Sequence, residues 1–283
     1  MKEKIAVLID SCTDVPEEYV ERYHMFKVPI IIRYADGEYI DGVDITSEEV
    51  CLRLEREVPA TSLPSPETIQ HTFERIKSEG YRRVIVVTIS AGLSGTHNLI
   101  RLMARDFNGL EFYMLNTKNI GIGSGLSAIL AARLIEQGLD FEEITRILEE
   151  SVTKNRVFFC VSTLEYLRKG GRIGLVAAVV GSVLNLKPII SCNEEGVYHS
   201  VAKTRGRRQS LERAVELASD FARGAAKYNL AIAHVRADEE AGRVREMMLS
   251  LRPNAELILD GGISPALTVH TGPGLVGIGV QLL

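Results

Sequence analysis

Apolar runs alternate with helical patterns along the first half of the chain. Strands are predicted at four predominantly apolar runs, residues 5–9, 26–32, 84–89 and 112–115. A strand that is buried on both faces shows such a run, because neither of its faces meets solvent. Helices are predicted between these strands, for example from Pro66 to about Glu79 and over residues 124–137. This alternation predicts an α/β domain with a doubly wound parallel sheet.

Shorter strands follow one another in the second half of the chain. They are predicted at residues 157–161, 187–193, 197–203, 230–235, 255–261 and 277–282, with helices near 209–228 and 239–251. The turn Asn193-Glu194-Glu195-Gly196 joins two of these strands and predicts an antiparallel hairpin. We therefore expect an α+β domain in this half, with domains over residues 1–155 and 156–283.

The longest apolar stretch, residues 173–186, is shorter than a membrane span and contains glycine and polar residues. A stretch of this length is typical of a buried helix, so no integral membrane segment is expected. The run at residues 5–9 is too short for the apolar core of a signal peptide. The four cysteines lie far apart without a Cys-x-x-Cys pair, as in reduced cytosolic chains. These features predict a cytoplasmic protein.

Composition and charge narrow the function classes. The chain has 283 residues, of which 46% are hydrophobic and 25% charged, and this excludes wholesale disorder. Its net charge of −4 disfavours bulk affinity for nucleic acids or anionic membranes. The six histidines show no His-x-His or His-x-x-x-His spacing, so no metal site is expected.

The loop Ser90-Ala91-Gly92-Leu93-Ser94-Gly95-Thr96 is the strongest candidate for a binding site. It follows a predicted strand and opens a helix, at the edge where open α/β sheets bind ligands. The hydroxyls of Ser94 and Thr96 and the free N–H groups of a helix N-terminus suit a carboxylate or a phosphate. An ordinary turn capped by Ser94 explains the same residues equally well. The loop matches neither a Walker loop nor a Gly-x-Ser-x-Gly nucleophile motif.

Two further segments are weaker candidates for the same anion. The loop at residues 60–66 would add the hydroxyls of Thr61 and Ser62, although turn and capping chemistry is the commoner explanation. His270-Thr271-Gly272-Pro273-Gly274 predicts a tight turn that carries one histidine. A lone histidine is more often structural, but beside an anion it donates a hydrogen bond or transfers a proton.

The polar loop Asp10-Ser11-Cys12-Thr13-Asp14 follows the first predicted strand. We expect Thr13 or Asp14 to cap a helix that begins near Pro16, and this explains the loop adequately. Cys12 has no histidine partner that would predict a reactive thiolate.

Two basic clusters, residues 168–172 and 203–208, stand out in an acidic chain. Such runs are usually solvated surface, but their glycines predict exposed turns that present charge to an acidic or phosphate-bearing partner. No aromatic residue interleaves with either cluster, so a nucleic-acid partner is not expected.

Taken in order, these segments resemble the DegV family of bacterial fatty-acid-binding proteins. The matching segments are Asp10-Ser11-Cys12-Thr13-Asp14, Thr61-Ser62 before Pro64, Ile89 to Thr96, Ser162-Thr163-Leu164-Glu165-Tyr166-Leu167-Arg168-Lys169-Gly170-Gly171-Arg172-Ile173, Lys187-Pro188 and His270 to Gly274. They run along nearly the whole chain, and the segment from Ser162 to Ile173 is the most specific. Cys12 and Ala91 depart from residues common in the family, so neither is expected to contact a ligand directly.

The resemblance implies that a long-chain fatty acid, without a further cofactor, is buried between the two domains. Ser94, the backbone N–H of Gly95 and Thr61 would hold its carboxylate, with His270 nearby and Ser62 as a weaker candidate. The apolar helix at residues 173–186 would form a wall of the tunnel for the tail.

The resemblance also implies a partner. Family members that work with an ATP-dependent fatty acid kinase present the bound acid to that subunit, which makes an acyl phosphate. By the same analogy, Arg172, Lys203 and Arg205 would dock the kinase or steady the transferring phosphoryl group.

Two other functions stay open on the residues alone. Ser94 and His270 together would suit a stand-alone acyl hydrolase or transferase. The basic clusters would suit a regulatory or nucleic-acid-binding protein, whose binding would fall steeply with salt.

Overall fold

The computed structural model describes residues 4–179 and 186–283, and within these ranges the strands form three sheets. The strands are β1 (Ile5–Asp10), β2 (Phe26–Val28), β3 (Ile31–Tyr34), β4 (Gly37–Ile40), β5 (Ala60–Ser62), β6 (Arg83–Thr88), β7 (Glu111–Asn116), β8 (Asn155–Cys160), β9 (Leu186–Cys192), β10 (Tyr198–Arg205), β11 (Tyr228–His234), β12 (Ala255–Gly262) and β13 (Val276–Leu282). The helices are α1 (Glu17–Arg22), α2 (Ser47–Arg53), α3 (Pro66–Ser78), α4 (Thr96–Asp106), α5 (Ile122–Gln137), α6 (Phe141–Ser151), α7 (Glu165–Lys169), α8 (Arg207–Phe221), α9 (Asp238–Leu251) and α10 (Pro265–Thr271), with short 3-10 helices at Ser11–Thr13, Val152–Lys154 and Gly174–Val179.

The first sheet is parallel throughout, with strand order β2-β1-β6-β7. Its two central strands, β1 and β6, are buried on both faces. On β1, Leu8 packs in a core with Phe73 of α3 and Ile100 of α4, while Val7 packs in another core with Ile129 of α5. The apolar runs therefore reflect helices on both sides of the sheet. This arrangement confirms the doubly wound α/β prediction.

The six-stranded sheet is mixed, with strand order β10-β9-β8-β13-β11-β12, and only β11 and β12 are parallel neighbours. The predicted hairpin joins β9 to β10, and the N–H of Gly196 donates to the carbonyl of Asn193 across the turn (2.9 Å). Helices α8 and α9 cover one face, where Val215 and Met248 are fully buried. This half of the chain is α+β, as predicted.

Helix α5 lies between the two large sheets. Its apolar residues belong to the same core as residues of β1 and of β8. A Cβ on Gly279 of β13 would lie 3.5 Å from the side chains of both Ile122 and Leu126, so the helix packs closely on the second sheet. The helix shows no polar face over most of its length because both sides are buried. The domain boundary near residue 155 stays a prediction.

The predicted strand at residues 26–32 is wrong as a single element. Pro29 has no N–H to donate to a ladder, and the run breaks there into β2 and β3. Strand β3 leaves the parallel sheet and forms a small antiparallel sheet of order β4-β3-β5. The sequence patterns did not predict this third sheet.

The predicted α-helix at residues 173–186 is also wrong where the structure describes it. Residues Gly174–Val179 form a 3-10 helix, β9 begins at Leu186, and residues 180–185 lie outside the described ranges. The backbone of Gly174 has φ of +52°, and a Cβ there would lie 2.7 Å from the carbonyl oxygen of Tyr198. The close approach to β10 leaves no room for a Cβ, and the positive φ lies outside the right-handed helical region, so glycine fits here and a regular α-helix does not start at this residue.

Two smaller expectations need correction. Neither Thr13 nor Asp14 caps α1, which starts after Pro16 without a side-chain cap. Asp10 caps the preceding 3-10 helix, Ser11–Thr13, by accepting the N–H of Cys12. The helix predicted at residues 209–228 ends at Phe221, before the strand β11 begins at Tyr228.

Candidate functional site

A cavity of about 230 Å³ lies where the carboxyl ends of β1 and β6 meet the small sheet and α10. Its polar lining is concentrated in a few side chains, those of Thr61, Ser62, Ser94, Arg172, His270 and Thr271. The rest of its lining is mostly apolar and comes from Cys12, Ile30, Leu63, Ile89, Leu93, Ile120, Tyr198, Ala266 and Leu267. The cavity therefore joins segments that are more than 200 residues apart in the chain.

The small sheet places Thr61 and Ser62 at this cavity. Both lie on β5, which pairs with β3 so that Thr61 is opposite Ile32 and Ser62 opposite Ile31. The hydroxyl of Thr61 is 2.9 Å from Nε2 of His270. This contact brings together two of the residues that the sequence predicted separately.

Ser94 lies where both interpretations of its loop place it, at the start of a helix and at a cavity. Its hydroxyl accepts the N–H of Thr96 (3.3 Å) and lies 2.9 Å from the Thr96 hydroxyl, at the start of α4, while its side chain also lines the cavity. The carbonyl of Ser90 accepts the N–H groups of Leu93 and Ser94, which closes the turn. Gly95 follows as the N-cap of α4, but it is exposed and does not line the cavity.

His270 is the next-to-last residue of α10, and the prediction that it lies in a tight turn is wrong. The turn begins one residue beyond the helix, at Gly272 with φ of +66°. Burial of the ring, together with the positive charge of Arg172, lowers the pKa of His270 from 6.5 to about 3. The imidazole is therefore neutral at physiological pH.

The three basic candidates divide into two groups. Arg172 lines the cavity, and its Nη1 donates to the carbonyl of Gly170 (2.7 Å). Lys203 and Arg205 are exposed on β10, an edge strand of the six-stranded sheet, and neither lines the cavity. Because they are two residues apart on a strand, their side chains share one face.

Buried carboxyl groups hold the backbone around the cavity. Asp10 accepts the N–H groups of Cys12 and Ile89, both at 2.9 Å, and so ties the end of β1 to the end of β6. Burial raises its pKa from 3.8 to about 7, against the opposing effect of these two hydrogen bonds. The carboxyl group is therefore partly protonated near neutral pH.

Two more buried carboxyl groups position α10. Asp14 accepts the N–H of Ser264 (2.9 Å), and Asp41 accepts the N–H of Ala266 (2.8 Å), at the beginning of the helix that carries His270. Burial raises the pKa of both groups. The sequence predicted Asp14 only as a cap and did not indicate Asp41, because neither contact has a local signal.

A second, smaller cavity of about 40 Å³ shares Ile120, Tyr198, Leu267 and Thr271 with the first. It extends between α5, the six-stranded sheet and α10, and its other lining residues are Gly121, Ile122, Val157, Phe159, Ala233, Ile263, Leu275 and Gly277. The predicted tunnel wall was residues 173–186; of these, residues 173–178 line neither cavity, and the side chains of residues 179–185 lie outside the described residues. Among the described residues, the apolar lining of the smaller cavity comes from α5, α10 and the six-stranded sheet.

This arrangement suits an amphipathic ligand better than a reaction on an acyl group. Hydroxyls and a cation lie at one end, and apolar side chains continue from it into the smaller cavity. Nε2 of His270 is hydrogen-bonded to Thr61 rather than to Ser94, and a histidine with a pKa of about 3 is a weak general base. The geometry therefore disfavours the hydrolase alternative.

Residues 4–179 and 186–283, the ranges that the structure describes, contain no group of three or more His, Cys, Asp or Glu side chains arranged to hold a metal ion. None of the helices in the same ranges combines the length and the apolar character needed to cross a membrane.

Comparison with known proteins identifies the family. The model of the DegV family, described as an uncharacterised protein family, matches residues 4–282. A DegV domain-containing protein of Clostridium acetobutylicum is 37% identical, over 98% of both chains, and a fatty acid-binding protein of Thermotoga maritima is 33% identical, over 99% of this chain and 98% of the relative. The solved structure of a fatty-acid-binding DegV family protein from Thermus thermophilus superposes with a TM-score of 0.93 at 28% identity, over 99% of this chain and all of the other. The chain belongs to the DegV family.

Proposed function

We propose that this protein binds a long-chain fatty acid, with the carboxylate at Thr61 and Ser94 and the tail in the apolar extension, the smaller cavity between α5, the six-stranded sheet and α10. The observation that carries the proposal is the meeting of a compact polar end, where Thr61 contacts His270, with an apolar cavity that continues behind it. Relatives of the same family that bind fatty acids support it.

The energetics agree with such a ligand. Burial of a carboxylate without hydrogen-bond partners costs several kcal/mol, so the carboxylate needs several hydrogen-bond donors. The hydroxyls of Thr61 and Ser94 supply donors beside the guanidinium of Arg172. Each buried CH₂ contributes about 0.8 kcal/mol, so a sixteen-carbon tail gains on the order of 10 kcal/mol before the costs of ordering.

The test is a binding measurement on delipidated protein with matched variants at Thr61. Thr61→Val removes the hydroxyl at nearly constant volume and should weaken fatty acid binding by about 1–3 kcal/mol, because a buried carboxylate loses a donor. Thr61→Ser keeps the hydroxyl and should bind nearly as the wild type does.

Native mass spectrometry of protein purified from bacteria supplies the independent check. We expect a co-purified acid of a few hundred daltons that is released by organic extraction. Wild-type protein that neither carries nor takes up a fatty acid would refute the proposed function.

The proposal extends to an ATP-dependent fatty acid kinase as the partner that receives the carboxylate. Arg172 lies at the polar end of the cavity, and Lys203 and Arg205 offer exposed positive charge on the edge strand β10. Exposed charges of this kind steer association with a partner more than they add to its final affinity.

Charge reversal separates this role from ligand binding. Lys203→Glu and Arg205→Glu should leave fatty acid binding unchanged and slow acyl-phosphate formation by the kinase, with a larger effect at low salt. Arg243→Glu on α9 is the control, because Arg243 is also exposed but lies on a helix that contributes nothing to the cavity. Equal rates for all three variants and the wild type would exclude β10 as the docking surface.

A further inference from the structure

Gly170 lies against the imidazole ring of His270. A Cβ added at Gly170 would lie 2.1 Å from Nδ1 and 2.7 Å from Cε1 of that ring. Its backbone has φ of −77° and ψ of −4°, a conformation open to any residue. The contact with the ring, rather than the backbone conformation, therefore requires glycine here.

The neighbouring glycine shows the contrast. Gly171 has φ of +72°, and a Cβ there would meet no atom of the described residues within 4 Å. Its glycine is explained by the left-handed backbone alone. The two glycines of Lys169-Gly170-Gly171-Arg172 thus have different physical causes, and only the first is linked to the cavity.

Local contacts hold Gly170 in place. Its N–H donates to the carbonyl of Tyr166 (2.9 Å), and its own carbonyl accepts Nη1 of Arg172 (2.7 Å). The ring of Tyr166 packs in turn on Gly272, just beyond α10, where a Cβ would lie 2.3 Å from two ring carbons. The end of α7 is therefore pressed against the helix that carries His270.

The same contact decides which nitrogen of His270 carries the proton. Nδ1 is buried and has no hydrogen-bond partner within the described residues, whereas Nε2 lies 2.9 Å from the Thr61 hydroxyl. A buried N–H without an acceptor is rarer and costlier than a lone pair without a donor. The proton of the neutral ring is therefore on Nε2, which donates to Thr61 Oγ1.

We propose that Gly170 is a positioning residue for the ligand carboxylate. It packs against Nδ1 of His270, keeps that nitrogen buried without a hydrogen-bond partner, and so holds the ring as the Nε2–H tautomer. Because Thr61 Oγ1 accepts that hydrogen bond, its own O–H is free to donate into the cavity. His270 thus acts on the ligand through Thr61. The proposal rests on fatty acid binding as the function, but the tautomer is measurable without a ligand.

The first test is ¹⁵N NMR of the histidine side chains in ligand-free wild-type protein, with the signals of His270 assigned by their loss in His270→Ala. We expect a protonated Nε2 and an unprotonated Nδ1 near neutral pH. A protonated Nδ1 would overturn the proposal, whether or not the protein binds fatty acids.

The second test is a double-mutant cycle on fatty acid binding. Gly170→Ala should weaken binding about tenfold or more by displacing the ring, and it should have little effect in the His270→Ala background. Gly171→Ala is the control for backbone strain and should change binding much less. An equal loss from Gly170→Ala in both backgrounds would show a merely structural role and overturn the proposal.

The outcomes separate this inference from the proposed function. Wild-type protein without fatty acid affinity would refute the function and leave the NMR test of the ring intact. Wild-type affinity that persists in Gly170→Ala would refute the inference alone. If Gly170→Ala does not fold, the NMR measurement of the His270 tautomer in the wild-type protein still tests the proposal.

Discussion

At the scale of single residues, the candidate site depends on short polar groups whose hydrogen bonds have defined directions. Thr61 and His270 form one pair, and Ser94 bonds to the first turn of α4 while facing the same cavity. The sequence and its resemblance predicted these three residues, because hydroxyl-rich loops and a histidine beside a glycine-containing turn are visible in a sequence. It did not indicate Asp41, whose importance lies in a hydrogen bond to Ala266, 225 residues away.

The buried histidine makes stability depend on pH in a predictable direction. The pKa of His270 falls from 6.5 to about 3 on folding, so the unfolded chain binds more protons between these values. The contribution of His270 to the unfolding free energy should therefore decrease as the pH falls from about 6.5 towards 3. The measurement is urea unfolding at several pH values, with His270→Gln as the comparison.

Asp10 acts in the opposite sense over part of this range. Its pKa rises from 3.8 to about 7, so the stability it contributes is greatest at low pH and is lost as the pH rises through 7. The difference between the wild type and His270→Gln cancels the Asp10 contribution and isolates that of His270. If the difference in unfolding free energy between the wild type and His270→Gln does not change with pH, this would contradict a lowered pKa for His270.

At the scale of elements, the positions of helices and strands follow local patterns, but their lateral contacts do not. Helix α5 was predicted at nearly its observed length, yet its glycines gave no sign that backbone would pack against them. A Cβ on Gly125 would lie 2.6 Å from the carbonyl oxygen of Thr13, in the loop that leads from β1 to α1. The small residue is therefore needed for the approach of α5 to that loop.

Two glycine-to-alanine changes within helices should have opposite effects. Gly125→Ala should destabilise the protein by about 1–3 kcal/mol, because a rigid carbonyl blocks the added methyl group. In α9, a Cβ added at Gly242 would meet no atom of the described residues within 4 Å, so Gly242→Ala should stabilise the protein by about 0.5–1 kcal/mol through helix propensity. Chemical denaturation of both variants measures the two effects, and a stabilising Gly125→Ala would show that α5 does not pack as described.

At the scale of the whole molecule, the candidate site belongs to no single sheet. Its residues come from the ends of β1 and β6, from β5, from the segment after α7 and from α10. The apolar extension lies between α5 and the six-stranded sheet. A ligand that fills both cavities therefore contacts segments from both halves of the chain.

Such a ligand should stabilise the entire fold. A fatty acid at a concentration one hundred times its dissociation constant should add about 2.7 kcal/mol to the unfolding free energy, if it binds only the native state. Thermal unfolding of delipidated protein with increasing fatty acid measures the shift, with Thr61→Val as the variant that should shift less at equal concentration. An unfolding temperature that does not change with fatty acid concentration would contradict binding between the two halves.

The sequence by itself determined the order and type of most elements and the hydroxyl-bearing loops, because apolar periodicity, caps and turn residues act over a few neighbouring residues. Tertiary structure alone decided the third sheet, the 3-10 helix at Gly174–Val179, and the contacts of Gly170 with His270 and of Asp41 with α10. These features depend on distances between segments far apart in the chain. Close packing, rather than local preference, selects the residues that fit there.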